Sequence, residues 1–173
     1  MAEVRVAEGE ALGMVTLRAD LADGAVGAAV EALCGVAVPG RLRLEGGVGR
    51  GAAWMAPDEL LLFVPRGQGA EAAAGRGGDL AGAHHLALDV SDLRAHLRLR
   101  GPFAREVLAK VSPVDCSPEG LPDGMVRRTR VGQVAAALWV EGEEARVLCF
   151  RSVAAYALGL LRRSAADGPV GAL

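Results

Sequence analysis

Histidines, cysteines and clustered arginines are the residues of this 173-residue chain best suited to chemistry. His84 and His85 are adjacent, so in a strand they point to opposite faces, and His96 stands apart. A zinc centre requires three or four ligands at fixed spacing, which these positions do not supply. Cys34, Cys116 and Cys149 are far apart and form no CxxC pair, which argues against a disulfide framework or a zinc knuckle and suits a reducing compartment. Cys116 falls in a proline-rich loop and is expected to reach solvent, but no neighbouring group marks it as an activated thiolate. The glycines of "GGVGRG" (46–51) run into a strand and are followed by no GK[ST], so they read as a hairpin loop and not a nucleotide cradle. Asp58, Glu59, Glu141, Glu143 and Glu144 are expected in turns, with no buried carboxylate pair among them.

The arginines are the most suggestive group. In "LRAHLRLR" (93–100), alternation puts Leu93, Ala95, Leu97 and Leu99 on one face and Arg94, His96, Arg98 and Arg100 on the other. Arg127, Arg128 and Arg130 fall in a further strand that is expected to lie nearby. Together these guanidiniums would form a surface for an anion or for a partner's acidic patch. The plainer reading is a solvated sheet face.

Composition limits the alternatives. Hydrophobic residues make up 51% of the chain and aromatics only 3%, so the core must be built from Val, Leu and Ala. A formal net charge of −2 argues against non-specific nucleic-acid binding. "VAAALWV" is too short to cross a bilayer, and "MAEVRVAEGEALG" has no apolar signal-like core. A cytoplasmic protein with neither nucleic-acid nor membrane partners is expected.

The elements that position these residues follow from periodicity. "MVTLRADL" (14–21) reads as a strand, and Asp23 caps a helix with Val26, Val30 and Leu33 inward that Gly35 closes. "RLRLEG" (41–46) alternates with Leu42 and Leu44 on one face. "GAAWMA" and "LLLFVP" form a hairpin turning at Pro57–Glu59, and "GAEAAAGRGG" (69–78) is a weak helix. "HHLALDVSD" is an extended link to the second half. There the strand at 93–100 ends at Gly101, Pro102 opens a helix, and Phe103, Val107, Leu108 and Val111 form its apolar stripe. After the loop "SPVDCSPEGLPDG", strands are predicted at "MVRRTRV", "QVAAALWV" and "ARVLCF". Ser152 then caps a helix with Val153, Tyr156, Ala157, Leu160 and Leu161 inward.

Each half thus reads strand, helix, two or three strands, helix. Trp54 and Trp139 precede acidic turns, and Phe63 and Phe150 end the strands that follow. This predicts a single α+β domain over 1–173. It contains a duplicated strand-helix-strands-helix unit (about 14–78 and 93–164), mostly antiparallel sheets covered by helices, and a frayed tail at 165–173.

The second half carries a family resemblance. Gly101-Pro102 with "AREVLAK", the loop holding Pro113 and Asp115, "RRTRVGQ", and "FRS" entering the last helix together resemble the gamma subunits of heterotetrameric sarcosine oxidases. The likeness is close over about residues 83–164 and loose before them. It implies a complex that oxidatively demethylates sarcosine to glycine, yielding peroxide and, with tetrahydrofolate, methylenetetrahydrofolate. It also implies that FAD, FMN, NAD, zinc and tetrahydrofolate belong to other subunits, that the partners are the alpha, beta and delta subunits, and that this chain holds no catalytic, cofactor or metal residue. Arg94, Arg98, Arg100, Arg127, Arg128 and Arg130 are then the candidate partner-interface positions. The implied fold is that of the folate-binding domain of aminomethyltransferases. Those enzymes place an essential aspartate on a strand whose nearest match here is "GQVAAALW", where Ala136 and Ala137 take the acidic positions. A stand-alone folate-binding or one-carbon-transfer domain is the alternative reading, and it lacks that acid.

Overall fold

The computed structural model describes residues 4–75, 80, 82–169 and 171. The chain divides into two compact units, residues 11–91 and residues 1–10 with 92–173.

The first unit contains β2 (Gly13–Ala19), α1 (Gly24–Cys34), β3 (Leu44–Gly47), β4 (Arg50–Ala56), β5 (Glu59–Val64), α2 (Gly69–Ala73) and β6 (His85–Asp89). Its sheet is antiparallel throughout, in the order β3-β4-β5-β2-β6. Every residue of β5 is buried: Leu60–Val64 form the apolar run of a central strand, and Glu59 at its start is paired with Arg18 at 2.8 Å. The Asp23 side chain accepts the Ala25 N–H at 2.8 Å, and Gly35 ends α1 in the left-handed region at φ 70°. Val26 and Val30 are fully buried against Val15, Leu17, Leu60 and Leu62.

Three expectations change here. Leu42 does not share a strand face with Leu44: it sits before β3 at φ 61°, a turn conformation that overrides the alternation. The predicted helix at 69–78 ends at Ala73, and residues 76–79 lie outside the described residues. The "extended link" is a paired strand, β6, whose Ala87 lies opposite Leu17.

The second unit contains β1 (Arg5–Glu8), β7 (Arg94–Arg100), α3 (Ala104–Ala109), β8 (Arg127–Val131), β9 (Val134–Glu141), β10 (Glu144–Phe150) and α4 (Ala154–Ala166). Its antiparallel order is β1-β7-β10-β9-β8. Read from the other edge, β8-β9-β10-β7 repeats β3-β4-β5-β2. Only the fifth strand differs in origin: β6 follows the rest of its unit in the chain, whereas β1 precedes its own. Ala95, Leu97, Leu99, Val107, Leu108, Leu138, Val140, Val147, Ala157 and Leu161 form the core of this unit.

Helix ends differ from the sequence reading. Gly101, at φ 141°, and Pro102 lie in a turn ahead of α3, whose N-cap is Phe103, so the proline precedes the helix and does not open it. A 3₁₀ turn at Arg151–Val153 precedes α4, so Ser152 lies in that turn and makes no capping bond. The buried positions of α4 are Ala157, Leu161 and Ser164, a spacing of four and three that carries Tyr156 to the flank, where it is 49% exposed. Leu93 lies just before β7 and is also exposed. The expected fraying at 165 does not begin there. The helix continues to Ala166, Lys110 Nζ donates to the carbonyls of Ser164 and Gly168 at 2.6 Å, and the Gly171 N–H donates to Glu106 at 2.6 Å. Val170, Ala172 and Leu173 lie outside the described residues.

Leu108 is fully buried, whereas Phe103 packs against the same core while remaining partly exposed. Leu108→Ala is therefore expected to cost about 2–5 kcal/mol. Phe103→Ala should cost less than Leu108→Ala despite the larger side chain. Urea denaturation of both variants measures the order.

Candidate functional site

The two-residue turn at Gly142 and Glu143 places Glu141 and Glu144 directly opposite each other at the end of the β9–β10 hairpin. The pairing of β10 with β7 puts Glu144 opposite Arg100 and Arg146 opposite Arg98. Alternation sends all of these side chains to the face opposite the Leu97–Leu99 core. Two arginines lie face to face there, a repulsive pair unless acid intervenes.

Glu144 supplies that acid. It is 9% exposed and meets three guanidiniums. Arg98 binds it in a two-pronged fork, Nε to Oε1 at 2.7 Å and Nη2 to Oε2 at 2.8 Å. Arg100 donates to Oε2 from Nε at 2.9 Å and from Nη2 at 2.6 Å. Arg146 Nη2 lies 2.9 Å from Oε1. Arg98 also reaches Glu10 at 3.2 Å, and Arg146 donates from Nε to Glu141 at 2.9 Å. Arg98, Arg100 and Arg146 thus face Glu10, Glu141 and Glu144, three cations against three anions. The Arg98 hydrogen bonds, followed by those of Arg100 and the charge of Arg146, outweigh burial and hold the Glu144 carboxyl at about 2.

His96 completes the cluster. Only 3% exposed, it brings Nε2 to 3.3 Å from Arg146 Nη1. An arginine can only donate, so Nε2 accepts and the ring is neutral, with its proton on Nδ1. Nδ1 makes no hydrogen bond. Burial first, then Arg146, push the ring down to about 4, while Glu10 pulls the other way. The Gly9 N–H donates to the His96 carbonyl at 2.8 Å, and a Cβ on Gly9 would collide with the imidazole, so glycine is required for this approach.

The six arginines read from the sequence are not brought together. Two strands, β10 and β9, separate β7 from β8, a distance of about 14 Å at the usual strand spacing. Arg128 and Arg130 pair with Ala137 and Ala135 and share the Glu144 face at its far edge; Arg127 pairs with Leu138 and points the opposite way. Arg98 is committed to Glu144 and Glu10, Arg100 is exposed while bound to Glu144, and Arg94 is partly exposed. Sequence reading also missed Glu144 and Glu59 as buried strand residues. The available signal was the two-residue loop of the hairpin, which puts Glu144 in the first position of β10.

Cys116 is not solvent-accessible as expected but 1% exposed. Arg105 Nη1 donates to the carbonyls of Cys116 at 3.1 Å and Leu121 at 2.7 Å, which winds the proline-rich loop around the guanidinium and draws the thiol into the core. Burial pushes the thiols of Cys116 and Cys34 up to about 11, away from the reactive thiolate. Among the described residues, no three of His, Cys, Asp or Glu gather as a metal site, and no helix is long and apolar enough to cross a membrane.

The two antiparallel α+β units place the chain in a known class of fold: aminomethyltransferase T of the glycine cleavage system from Bartonella henselae superposes over 92% of this chain and 45% of its own, with a TM-score of 0.64 at 15% identity. Residues 18–167 match the model of the sarcosine oxidase, gamma subunit family, and the chain belongs to that family. A sarcosine oxidase subunit gamma from Corynebacterium sp. (strain P-1) is 33% identical over 75% of this chain and 64% of its own length. One from Arthrobacter sp. is 32% identical over 68% of this chain and 58% of its own, so the chain spans about three-fifths of the curated relatives it matches. A chain of the heterotetrameric sarcosine oxidase from Corynebacterium sp. U-96, solved in complex with pyrrole 2-carboxylate, superposes over 95% of this chain and 84% of its own, with a TM-score of 0.84 and 26% identity.

The buried ionisable groups predict the acid sensitivity of the fold. His96 binds protons less readily folded (about 4) than unfolded (6.5), so its contribution is full above pH 6.5 and is lost as pH falls toward 4. Glu144, at about 2 folded against 4.5 unfolded, contributes fully above pH 4.5 and is lost as pH falls toward 2. The melting temperature should therefore fall in two steps on acidification. His96→Gln should remove the upper step and leave the lower. Glu144→Ala leaves three guanidiniums without their shared carboxylate and should cost about 3–5 kcal/mol at pH 7.

Proposed function

We propose that this chain is the non-catalytic gamma subunit of a heterotetrameric sarcosine oxidase. The superposition on a chain of such an enzyme over 95% of this sequence carries the reading. In it, the complex oxidatively demethylates sarcosine to glycine in the cytoplasm, with peroxide and methylenetetrahydrofolate as further products. FAD, FMN, NAD, zinc and tetrahydrofolate are held by the other subunits, alpha, beta and delta. This chain supplies a rigid folded surface to the assembly. The Glu144 cluster supports that role, because its charges are satisfied among themselves and a balanced ion cluster rigidifies a sheet face without offering a reactive group.

The candidate partner-interface positions are Arg94, Arg98, Arg100, Arg127, Arg128 and Arg130, of which Arg98 and Arg100 are already bound to Glu144 and Arg127 points to the core face. Arg128 and Arg130, exposed on the edge strand β8, are the best placed of these to meet acidic groups of a larger subunit. The one-carbon-transfer alternative has Ala136 and Ala137 buried in β9, where neither can accept a hydrogen bond from a folate nitrogen.

Co-expression with the large subunits of a heterotetrameric sarcosine oxidase tests the reading. The chain should co-purify with them in one peak, and Arg128→Ala with Arg130→Ala should weaken that association while moving the melting temperature little, since exposed charges contribute less than about 1 kcal/mol to folding. Calorimetry of the isolated chain with tetrahydrofolate should show no binding in the low micromolar range. Tight folate binding without co-purification would replace this reading with the alternative.

A further inference from the structure

We propose that β6 pairs with β6 of a second copy of this chain, antiparallel about a twofold axis at Ala87. Each sheet has two edge strands: β3 and β6 in one, β1 and β8 in the other. Exposed strand edges are commonly guarded by charge or glycine against pairing with another chain. β1 carries Arg5 and Glu8, β8 carries Arg127, Arg128 and Arg130, and β3 carries Glu45, Gly46 and Gly47. β6 is different. Its two outward mid-strand side chains are Leu86 and Leu88, 48% and 49% exposed.

The main chain of β6 is set for the same partner. The Val90 N–H donates to the Met14 carbonyl at 2.8 Å, continuing the register in which Leu88 lies opposite Thr16 and Leu86 opposite Arg18. Alternation of antiparallel hydrogen bonding therefore turns the N–H and C=O groups of Leu86 and Leu88 toward β2. Those of His85, Ala87 and Asp89 point to the outer edge of the sheet, where no further strand pairs with β6 among the described residues.

A second β6 satisfies that edge because "HLALD" is complementary to itself. Centred on Ala87, each copy sets Leu86 opposite Leu88 of the other, and His85 opposite Asp89 of the other. Ala87 meets Ala87, and the three outward-pointing residues give about six main-chain hydrogen bonds. The leucines fall in the closer, non-hydrogen-bonded pairs, with Cα atoms about 4.5 Å apart, where side chains pack best. The two ends meet in opposite sense, as an isologous contact demands. A pairing of five residues a side lies at the small end of protein interfaces, so the dimer is weak and depends on concentration. It needs nothing from the sarcosine oxidase reading; within a larger assembly it would join two complexes through their copies of this chain.

The register gives the test. Leu86→Cys and Leu88→Cys chains are purified separately and oxidised alone and as a 1:1 mixture. Cys34, Cys116 and Cys149 are buried and do not compete. The mixture should form the mixed disulfide between positions 86 and 88, and each variant alone should form little, because the like positions do not face each other. Sedimentation of the unmodified chain from about 10 μM to about 1 mM should show a shift from monomer toward dimer, and Leu88→Lys should abolish the shift without changing the melting temperature. Equal cross-linking of each single variant alone, or a chain monomeric across the whole range, would overturn the proposal.

Discussion

Glu144 is the point on which one face of the second unit depends. A carboxylate excluded from water is costly unless its lone pairs are filled, and here three guanidiniums fill them. Each guanidinium comes from a strand placed by register: Arg98 and Arg100 from β7, Arg146 from β10 itself. A slip of one residue between β7 and β10 would turn the arginines into the apolar core and expose the leucines. The ion cluster and the core thus impose the same pairing from opposite faces of one sheet.

The neighbouring details follow from that pairing. Gly9 has no side chain because the His96 ring occupies the space, and His96 stays neutral because burial, and then the charge of Arg146, disfavour its protonation. Arg105 plays a parallel part on the other side of the unit, gathering the carbonyls of a loop that has no regular structure of its own. In both places an arginine with several donors does what a continuous ladder of backbone hydrogen bonds does elsewhere.

The repeated strand order bears on function. Two units of the same order, one completed by β6 and the other by β1, give a chain built largely of sheet and short helices. Such a chain is suited to present surfaces. The aminomethyltransferase likeness shows that the same fold also accommodates an enzyme, so the fold alone assigns no activity. In this chain Arg98, Arg100 and Arg146 are paired with Glu10, Glu141 and Glu144.

The sequence by itself determined most of the elements. Alternation in "RAHLRLR", the Asp23 cap, the Gly35 stop and the apolar run of "QVAAALWV" each act within a few residues, and each holds in the structure, whereas Leu93 falls outside the strand. It also carried the family resemblance. Only the tertiary structure decided how the strands are ordered, which separates Arg128 and Arg130 from Arg98 and Arg100 and makes Glu144 the centre of an ion cluster, and how the loop wound around Arg105 buries Cys116. The physical reason is range. Caps, turns and side-chain alternation depend on neighbours in the chain, whereas the partners of Glu144 lie 44 and 46 residues away in Arg100 and Arg98, and only the closing of the sheet brings them within a hydrogen bond.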